Sequence, residues 1–315
     1  MNEVIMIVGM GASGKSTYTE DYIAKGYHRI NRDELGGKLD GLIAHLDKAS
    51  SQGHDKIVMD NTYATIASRK PVIDWCRSNG YSPKCIWMDT SFEDCQLNAT
   101  LRMIRRKGRL LMPEEFGSEK DPNLFPPVAL FRYKKEFQKP TLTEGYDNVS
   151  VRKFQRVWGP EYNHSALIFD CDGVFRHTSG KEKYPCSPNE VVAIAGRGKI
   201  AKEKARAYDY LLGISNQSGI AKKKLTDEQC RATFARTNEL CGIDIDWLYC
   251  PHNIPPVNCY CRKPHCGLGA LVIERYKLNP SKCTFVGDQT SDETFARRCG
   301  FQFAHESDYF AGVSQ

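Results

Sequence analysis

The stretch Gly9-Met10-Gly11-Ala12-Ser13-Gly14-Lys15-Ser16-Thr17 follows the pattern G-x-x-x-x-G-K-[ST], which cradles nucleotide phosphates. Its glycines let the backbone curl until successive N–H groups point at phosphate oxygens. Lys15 is expected to reach the β- and γ-phosphates of ATP and Ser16 to hold Mg2+. Gly9, Gly11, Ala12, Ser13, Gly14 and Thr17 complete the cradle. Two downstream acids suit the same chemistry. Asp33 could take a proton from a hydroxyl attacking the γ-phosphate, or it could cap a helix. Asp60 could orient Mg2+, or it could end its strand in a turn. Five of the eight residues from 102 to 109 are basic. That run is either a solvated helix end or a lid bringing arginines, such as Arg102 and Arg106, to the transferring phosphate.

The second half carries different chemistry. Asp170 and Asp172, two apart at the end of the apolar run 166–169, leave the strand on the same side. One can attack phosphorus, and the other can protonate the leaving oxygen and then activate water. Mg2+ would screen their repulsion from the phosphate. Ser215 ends the run 211–214 with small donors, Lys263 offers a cation, and Asp288 ends another strand with Asp292 four residues on. Between them, Cys250, His252, Cys259 and Cys261 put three thiols and an imidazole within twelve residues. That set matches a closed, structural Cys3His zinc site, with Cys266 as a spare thiol.

These residues need strands and helices to aim them. Runs 4–8, 28–30, 56–60 and 85–88 read as strands, and 15–24, 31–51, 65–79 and a stretch from 91 read as helices. The alternation predicts a mostly parallel α/β sheet. Residues 147–163 read as an aromatic, polar joint broken by Gly159-Pro160, with a domain boundary near 160. Two domains are expected, 1–160 and 161–315. No long insertion follows Asp172, so no large cap is expected over that site. The basic runs 199–206 and 222–224 read as solvated faces, with a phosphate-backbone contact as the other reading of 222–224.

A chain of 315 residues is long enough for two ordinary cores. Its net charge of +6 permits an anionic partner without demanding one. With no basic leader and no apolar run of membrane length, no membrane partner is expected. The protein is expected in the cytoplasm, or in the nucleus if the cell has one. Thirteen cysteines in such a chain argue for free thiols and metal rather than disulfides.

The first 155 residues resemble the kinase domain of the polynucleotide kinase-phosphatase family. The pieces that carry this are the P-loop, 30–36 (Ile-Asn-Arg-Asp-Glu-Leu-Gly), 59–62 with Ala67-Ser68-Arg69, Asn98 with Arg102, and 137–146. The resemblance implies that Asp33 is the base for a nucleic-acid 5′-hydroxyl. Gly36 stands where phage members carry an arginine.

Residues 165–304 resemble the haloacid-dehalogenase-type phosphatases, with a three-layer α/β fold. That implies Asp170 as nucleophile, Asp172 as acid/base, and Ser215 with Lys263 on the phosphate. Mg2+ would sit on Asp170, the backbone of Asp172 and Asp288, with Asp292 in support. The zinc loop resembles that of heptose-bisphosphate and histidinol-phosphate phosphatases. A site that adds phosphate and one that removes it make sense on different positions of one substrate. The reading is an end-healing enzyme, 5′-kinase and 3′-phosphatase, that prepares DNA or RNA ends for a ligase. A metabolite kinase fused to a sugar-phosphate phosphatase is the alternative.

Overall fold

β1 (Glu3–Val8) is buried from Val4 onward, as befits the middle strand of a parallel sheet covered on both faces. The computed structural model describes residues 2–254 and 258–311. After β1 come α1 (Lys15–Ile23), β2 (His28–Ile30), α2 (Arg32–Leu35), α3 (Leu42–Ser51), β3 (Lys56–Asn61), α4 (Ile66–Ser78), β4 (Ser82–Asp89), α5 (Phe92–Lys107), α6 (Pro127–Glu136) and β5 (Asn148–Lys153). The five strands form one parallel sheet in the order β2-β3-β1-β4-β5.

From β1 the chain turns toward β2 and β3, and from β4 it turns toward β5. A crevice therefore opens beyond the ends of β1 and β4, where ligands of open α/β sheets bind. The P-loop follows β1 at that point.

Two expectations change in this half. The single helix foreseen over 31–51 is two helices, because Gly36 and Gly37 both take positive φ, +79° and +78°, which an α-helix cannot continue through. Part of the foreseen joint, 148–153, is instead the edge strand β5, in parallel register with β4. With four of six residues exposed, it carries only a weak strand signal.

A buried ion pair closes this half. Arg69, with no exposed surface, donates through Nε and Nη2 to both carboxylate oxygens of Glu144 at 2.7 and 2.8 Å, and through Nη1 to Tyr63 O at 2.9 Å. Removing one member of such a pair strands a buried charge, at about 3–5 kcal/mol.

The second half runs β6 (Ala166–Phe169), β7 (Arg176–Thr178), β8 (Val191–Ala193), α7 (Arg197–Ala205), β9 (Tyr210–Asn216), α8 (Asp227–Cys241), β10 (Asp246–Cys250), α9 (Gly267–Tyr276), β11 (Thr284–Gly287), α10 (Thr290–Cys299), β12 (Gln302–His305) and α11 (Glu306–Tyr309). Its parallel sheet has the order β10-β9-β6-β11-β12, so the crevice lies beyond β6 and β11, where Asp170 and Asp288 stand. Between Asp172 and α7 the chain makes the antiparallel ribbon β7-β8 and a short 3-10 turn, Pro188–Glu190.

The chain divides into two units. One comprises Met1–Ala99 with Glu119–Arg156, the other Thr100–Ser118 with Val157–Gln315. Thr100–Ser118, foreseen with the P-loop, thus groups with the second unit.

Candidate active sites

The P-loop is shaped by two left-handed residues, Ala12 (φ 61°) and Gly14 (φ 90°), the latter at the N-terminus of α1. Lys15 Nζ donates to Gly9 O at 2.9 Å and Met10 O at 2.7 Å, folding the cation back over the loop. Thr90 Oγ1 donates to Ser13 O and Asn98 Nδ2 to Ala12 O, both at 2.9 Å, so the end of β4 and α5 hold the curl. Ser13 is buried with no partner for its hydroxyl. Ser16 and Thr17 open α1, exposed at the mouth of the loop.

Asp33 and Asp60 differ from each other. The cap of α2 is Asn31, whose Oδ1 accepts from Asp33 N at 2.7 Å and Glu34 N at 3.2 Å. Asp33 is therefore not the cap, and its exposed carboxylate pairs with Arg32 at 2.7 Å. Asp60 is 2% exposed, and Arg29 grips both its oxygens, at 2.9 and 2.8 Å. Asn31 Nδ2 adds a third bond at 2.9 Å. An arginine fork matches a carboxylate bidentately, so Arg29 fixes the orientation of Asp60, which the sequence offered as a Mg2+-orienting group or a strand-ending turn. Arg32, Lys38, Leu39, Ser68 and Pro71 line a cleft of about 410 Å3 next to Asp33 in the chain.

Arg102, half-buried, and Arg106, exposed, belong to the last turns of α5, in the segment grouped with the second unit. Beside them, Arg105 bonds Glu274 at 3.3 Å and the Tyr162 hydroxyl at 2.9 Å, and Arg109 pairs with Glu115.

In the second unit the strand ends converge. Lys263, 3% exposed, places Nζ 2.9 Å from Asp170, 2.8 Å from Asp292 and 2.9 Å from Ile214 O. Asp170, Asp288 and Asp292 each offer an oxygen within 4.8 Å of the others. Three acids share one lysine, so negative charge is in excess. Burial pushes the Asp170 carboxyl up to about 7, with Lys263 opposing and Asp292 adding to the rise. Asp288 is raised by burial and then by Asp292. Asp288 Oδ1 has no hydrogen-bond partner.

A divalent cation fits this donor set. The three carboxylates would hold Mg2+, which supplies the missing positive charge. Gly173 makes room for Asp288: at φ +83°, a Cβ there would lie 2.4 Å from Asp288 Oδ2. The Asp172 carboxylate faces elsewhere. It accepts from Arg176 Nε and from Gln217 Nε2, both at 2.8 Å, so only its backbone remains for the metal role foreseen. Ser215 is 1% exposed and accepts from Gln217 at 3.0 Å.

Sequence reasoning missed three residues here. Asn216 clamps the Lys263 backbone from both sides, accepting from N at 2.9 Å and donating to O at 3.0 Å. Gln217 bridges Asp172 and Ser215. Both amides directly follow Ser215, and that polar run was the available signal. Arg176 carried none. Lys183, Tyr184, Lys222 and Lys224 line a cleft of about 130 Å3 that reaches Gln217.

The four foreseen zinc ligands do meet. Cys250 Sγ lies 3.8 Å from Cys259 and 3.2 Å from Cys261, and His252 Nδ1 lies 3.5 and 3.1 Å from Cys250 and Cys261. Ligands at zinc–sulfur distance on a tetrahedron are about 3.8 Å apart, so the cluster is near that size. The thiols are coupled: hydrogen bonds among them push Cys259 down and Cys250 and Cys261 up, so one sulfur gives up its proton most readily. Cys266 stands outside the set, 3.6 Å from Thr100 Oγ1.

Residues 4–110 match the family described as AAA domain, and residues 260–305 match a HAD-hydrolase-like family. The D-glycero-beta-D-manno-heptose-1,7-bisphosphate 7-phosphatase of Pseudomonas putida is 32% identical over 140 residues, 43% of this chain and 78% of that one. The chain joins a P-loop kinase domain to a haloacid-dehalogenase-like phosphatase domain. Its phosphatase part belongs to the same family as the Pseudomonas enzyme. The "Bifunctional polynucleotide phosphatase/kinase" of Schizosaccharomyces pombe is 32% identical over 154 residues, 49% of this kinase–phosphatase and 34% of the yeast chain. The chain thus spans about a third of that relative's length. A chain from the "Pnkp1/Rnl/Hen1 RNA repair complex" aligns over 96% of this one and 95% of its own, at 15% identity and TM-score 0.31.

Proposed function

We propose that this kinase–phosphatase heals nucleic-acid ends, phosphorylating a 5′-hydroxyl from ATP and removing a 3′-phosphate. The observation that carries the reading is the pairing itself: one chain holds a phosphate-adding loop at Lys15 and a phosphate-removing cluster at Asp170 and Lys263. On one position of one small molecule the two would cancel. On a broken strand they act on opposite ends, and a ligase is the partner that uses both products. The similarity to the yeast polynucleotide enzyme supports this. So do the lysines and Tyr184 beside Gln217, since cations with an aromatic face suit a single-stranded end. Among the described residues no helix is long and apolar enough to cross a membrane.

In the kinase step Asp33 takes the proton of the 5′-hydroxyl as its oxygen bonds to the γ-phosphorus. The bond to the ADP oxygen breaks, and the pair leaves on ADP. Lys15 and the loop N–H groups hold the phosphates, and Ser16 would hold Mg2+, which would balance their charge. Arg102 and Arg106 remain proposed as phosphate contacts.

In the phosphatase step an Asp170 oxygen bonds to phosphorus while the bond to the 3′-oxygen breaks. Asp172 gives that oxygen its proton. Asp172 then takes a proton from water, whose oxygen attacks phosphorus and frees Asp170 and inorganic phosphate. Ser215 and Lys263 hold the phosphoryl oxygens. Asp170, Asp288 and Asp292 would hold Mg2+, which would supply positive charge against the incoming phosphate. Zinc on Cys250, His252, Cys259 and Cys261 would stiffen the loop that presents Lys263.

The zinc cluster and the Pseudomonas relative favour a second reading, a sugar-phosphate phosphatase fused to a metabolite kinase. One panel separates them. With radiolabelled ATP, 5′-hydroxyl, 3′-phosphate DNA and RNA should gain 5′ label and lose 3′-phosphate in preference to heptose bisphosphate and histidinol phosphate. Faster release from the sugar phosphates, with no 5′ labelling of either oligonucleotide, would overturn the end-healing reading.

A further inference from the structure

Arg176 has no exposed surface, and the chemistry above does not use it. It opens β7. Its Nε donates to Asp172 Oδ1 at 2.8 Å and its Nη1 to Thr237 Oγ1 on α8 at 3.1 Å. Its guanidinium lies over the Phe234 ring, 4.9 Å from the centroid, and its Nη2 has no hydrogen-bond partner. On the other side of Asp172, Gln217 Nε2 donates to Oδ2 at 2.8 Å and also to Ser215 Oγ at 3.0 Å. Gln217 is itself fixed by its backbone N–H on Cys250 O at 2.8 Å.

Stability does not account for this arginine. A buried ion pair with an unsatisfied donor is often weaker than a well-packed apolar replacement, and Phe234 already offers an apolar wall. What the guanidinium supplies is direction. With one donor on each oxygen, the Asp172 carboxylate cannot rotate, and Gln217 ties that orientation to the serine expected on the phosphoryl group.

We propose that Arg176 is a positioning residue of the phosphatase: with Gln217 it fixes the Asp172 carboxylate relative to Ser215, so that the acid/base is aimed before substrate arrives. The proposal rests on the reading of Asp172 as acid/base. Arg176 touches neither the phosphate nor the metal ligands Asp170, Asp288 and Asp292, and it acts through Asp172 alone.

The test is a double-mutant cycle on the full chain with aryl phosphates, which need no nucleic acid. Arg176→Met should lower kcat for phenyl phosphate about 100-fold, the usual worth of a placed acid/base, with KM unchanged. The loss should be smaller for p-nitrophenyl phosphate, whose leaving group needs little protonation. Arg176→Lys should restore part of kcat. In an Asp172→Asn background, Arg176→Met should cost nothing more. An equal further loss in that background would overturn the proposal while leaving Asp172 in its role. Full activity of Asp172→Asn alone would overturn both. Should Arg176→Met fail to fold by circular dichroism, Gln217→Leu carries the same cycle, and additivity with Asp172→Asn again overturns the idea.

Discussion

Asp170 and Lys263 are 93 positions apart in the chain, and their charged atoms are 2.9 Å apart in the fold. Each was recognisable alone, because a carboxylate pair at a strand end and a cation before a proline are local patterns. Their contact was not. The same holds with more force for Asn216 and Arg176, whose work is done on residues far away in sequence or in a hairpin that composition does not announce. Gly173 shows how tight the result is. Its missing Cβ is the space that Asp288 occupies, and its φ of +83° disfavours any side chain. Gly173→Ala should therefore displace Asp288 and cut phosphatase kcat at least about tenfold, as a misplaced ligand does. Phosphate transfer from ATP should be untouched. Steady-state assays of the two reactions on one preparation check this.

Among the elements, the loop from β10 to α9 does two jobs. Its middle gathers Cys250, His252, Cys259 and Cys261, and its end delivers Lys263 to Asp170. Three thiols and an imidazole gathered this closely are expected to be tied together by metal binding. Elemental analysis should find about one zinc per chain, and chelation should lower the melting temperature of the phosphatase unit. Preparations that are free of zinc and equally stable would remove the metal. Elsewhere, elements were legible where burial imposes a pattern. β1, β3 and β6 are nearly continuous apolar runs, as strands covered on both faces must be. β5 is an edge strand with four of its six residues exposed, and its local composition resembles a loop. The Arg29–Asp60 contact was hidden for a related reason: nothing in the run 56–62 tells that Arg29, on the neighbouring strand, will bond both oxygens.

For the whole molecule, two phosphoryl sites in one chain predict independent losses. Asp33→Ala should abolish 5′ labelling and spare 3′-phosphate removal, and Asp170→Asn should do the reverse. Each loss should exceed about 100-fold, since each variant removes a base or a nucleophile. Loss of both reactions in either variant would contradict separate chemistries. The two-domain order was readable because P-loop and aspartate motifs carry their phosphate chemistry in a few adjacent residues, backed by strand–helix alternation. The allocation of 100–118 was not. Residues 100–107 continue α5 without a break in helical pattern, and only packing assigns them to the second unit. The sequence by itself determined the two parallel α/β sheets, the phosphate loop, the aspartate motif and the zinc set, all of which depend on spacing along one stretch of chain. Only the tertiary structure decided that Asn31 caps in place of Asp33, that Arg29 takes Asp60, and that Arg176 and Gln217 hold Asp172. Which donor reaches a carboxylate first is a matter of distance between strands, and distance across a sheet is not written along it.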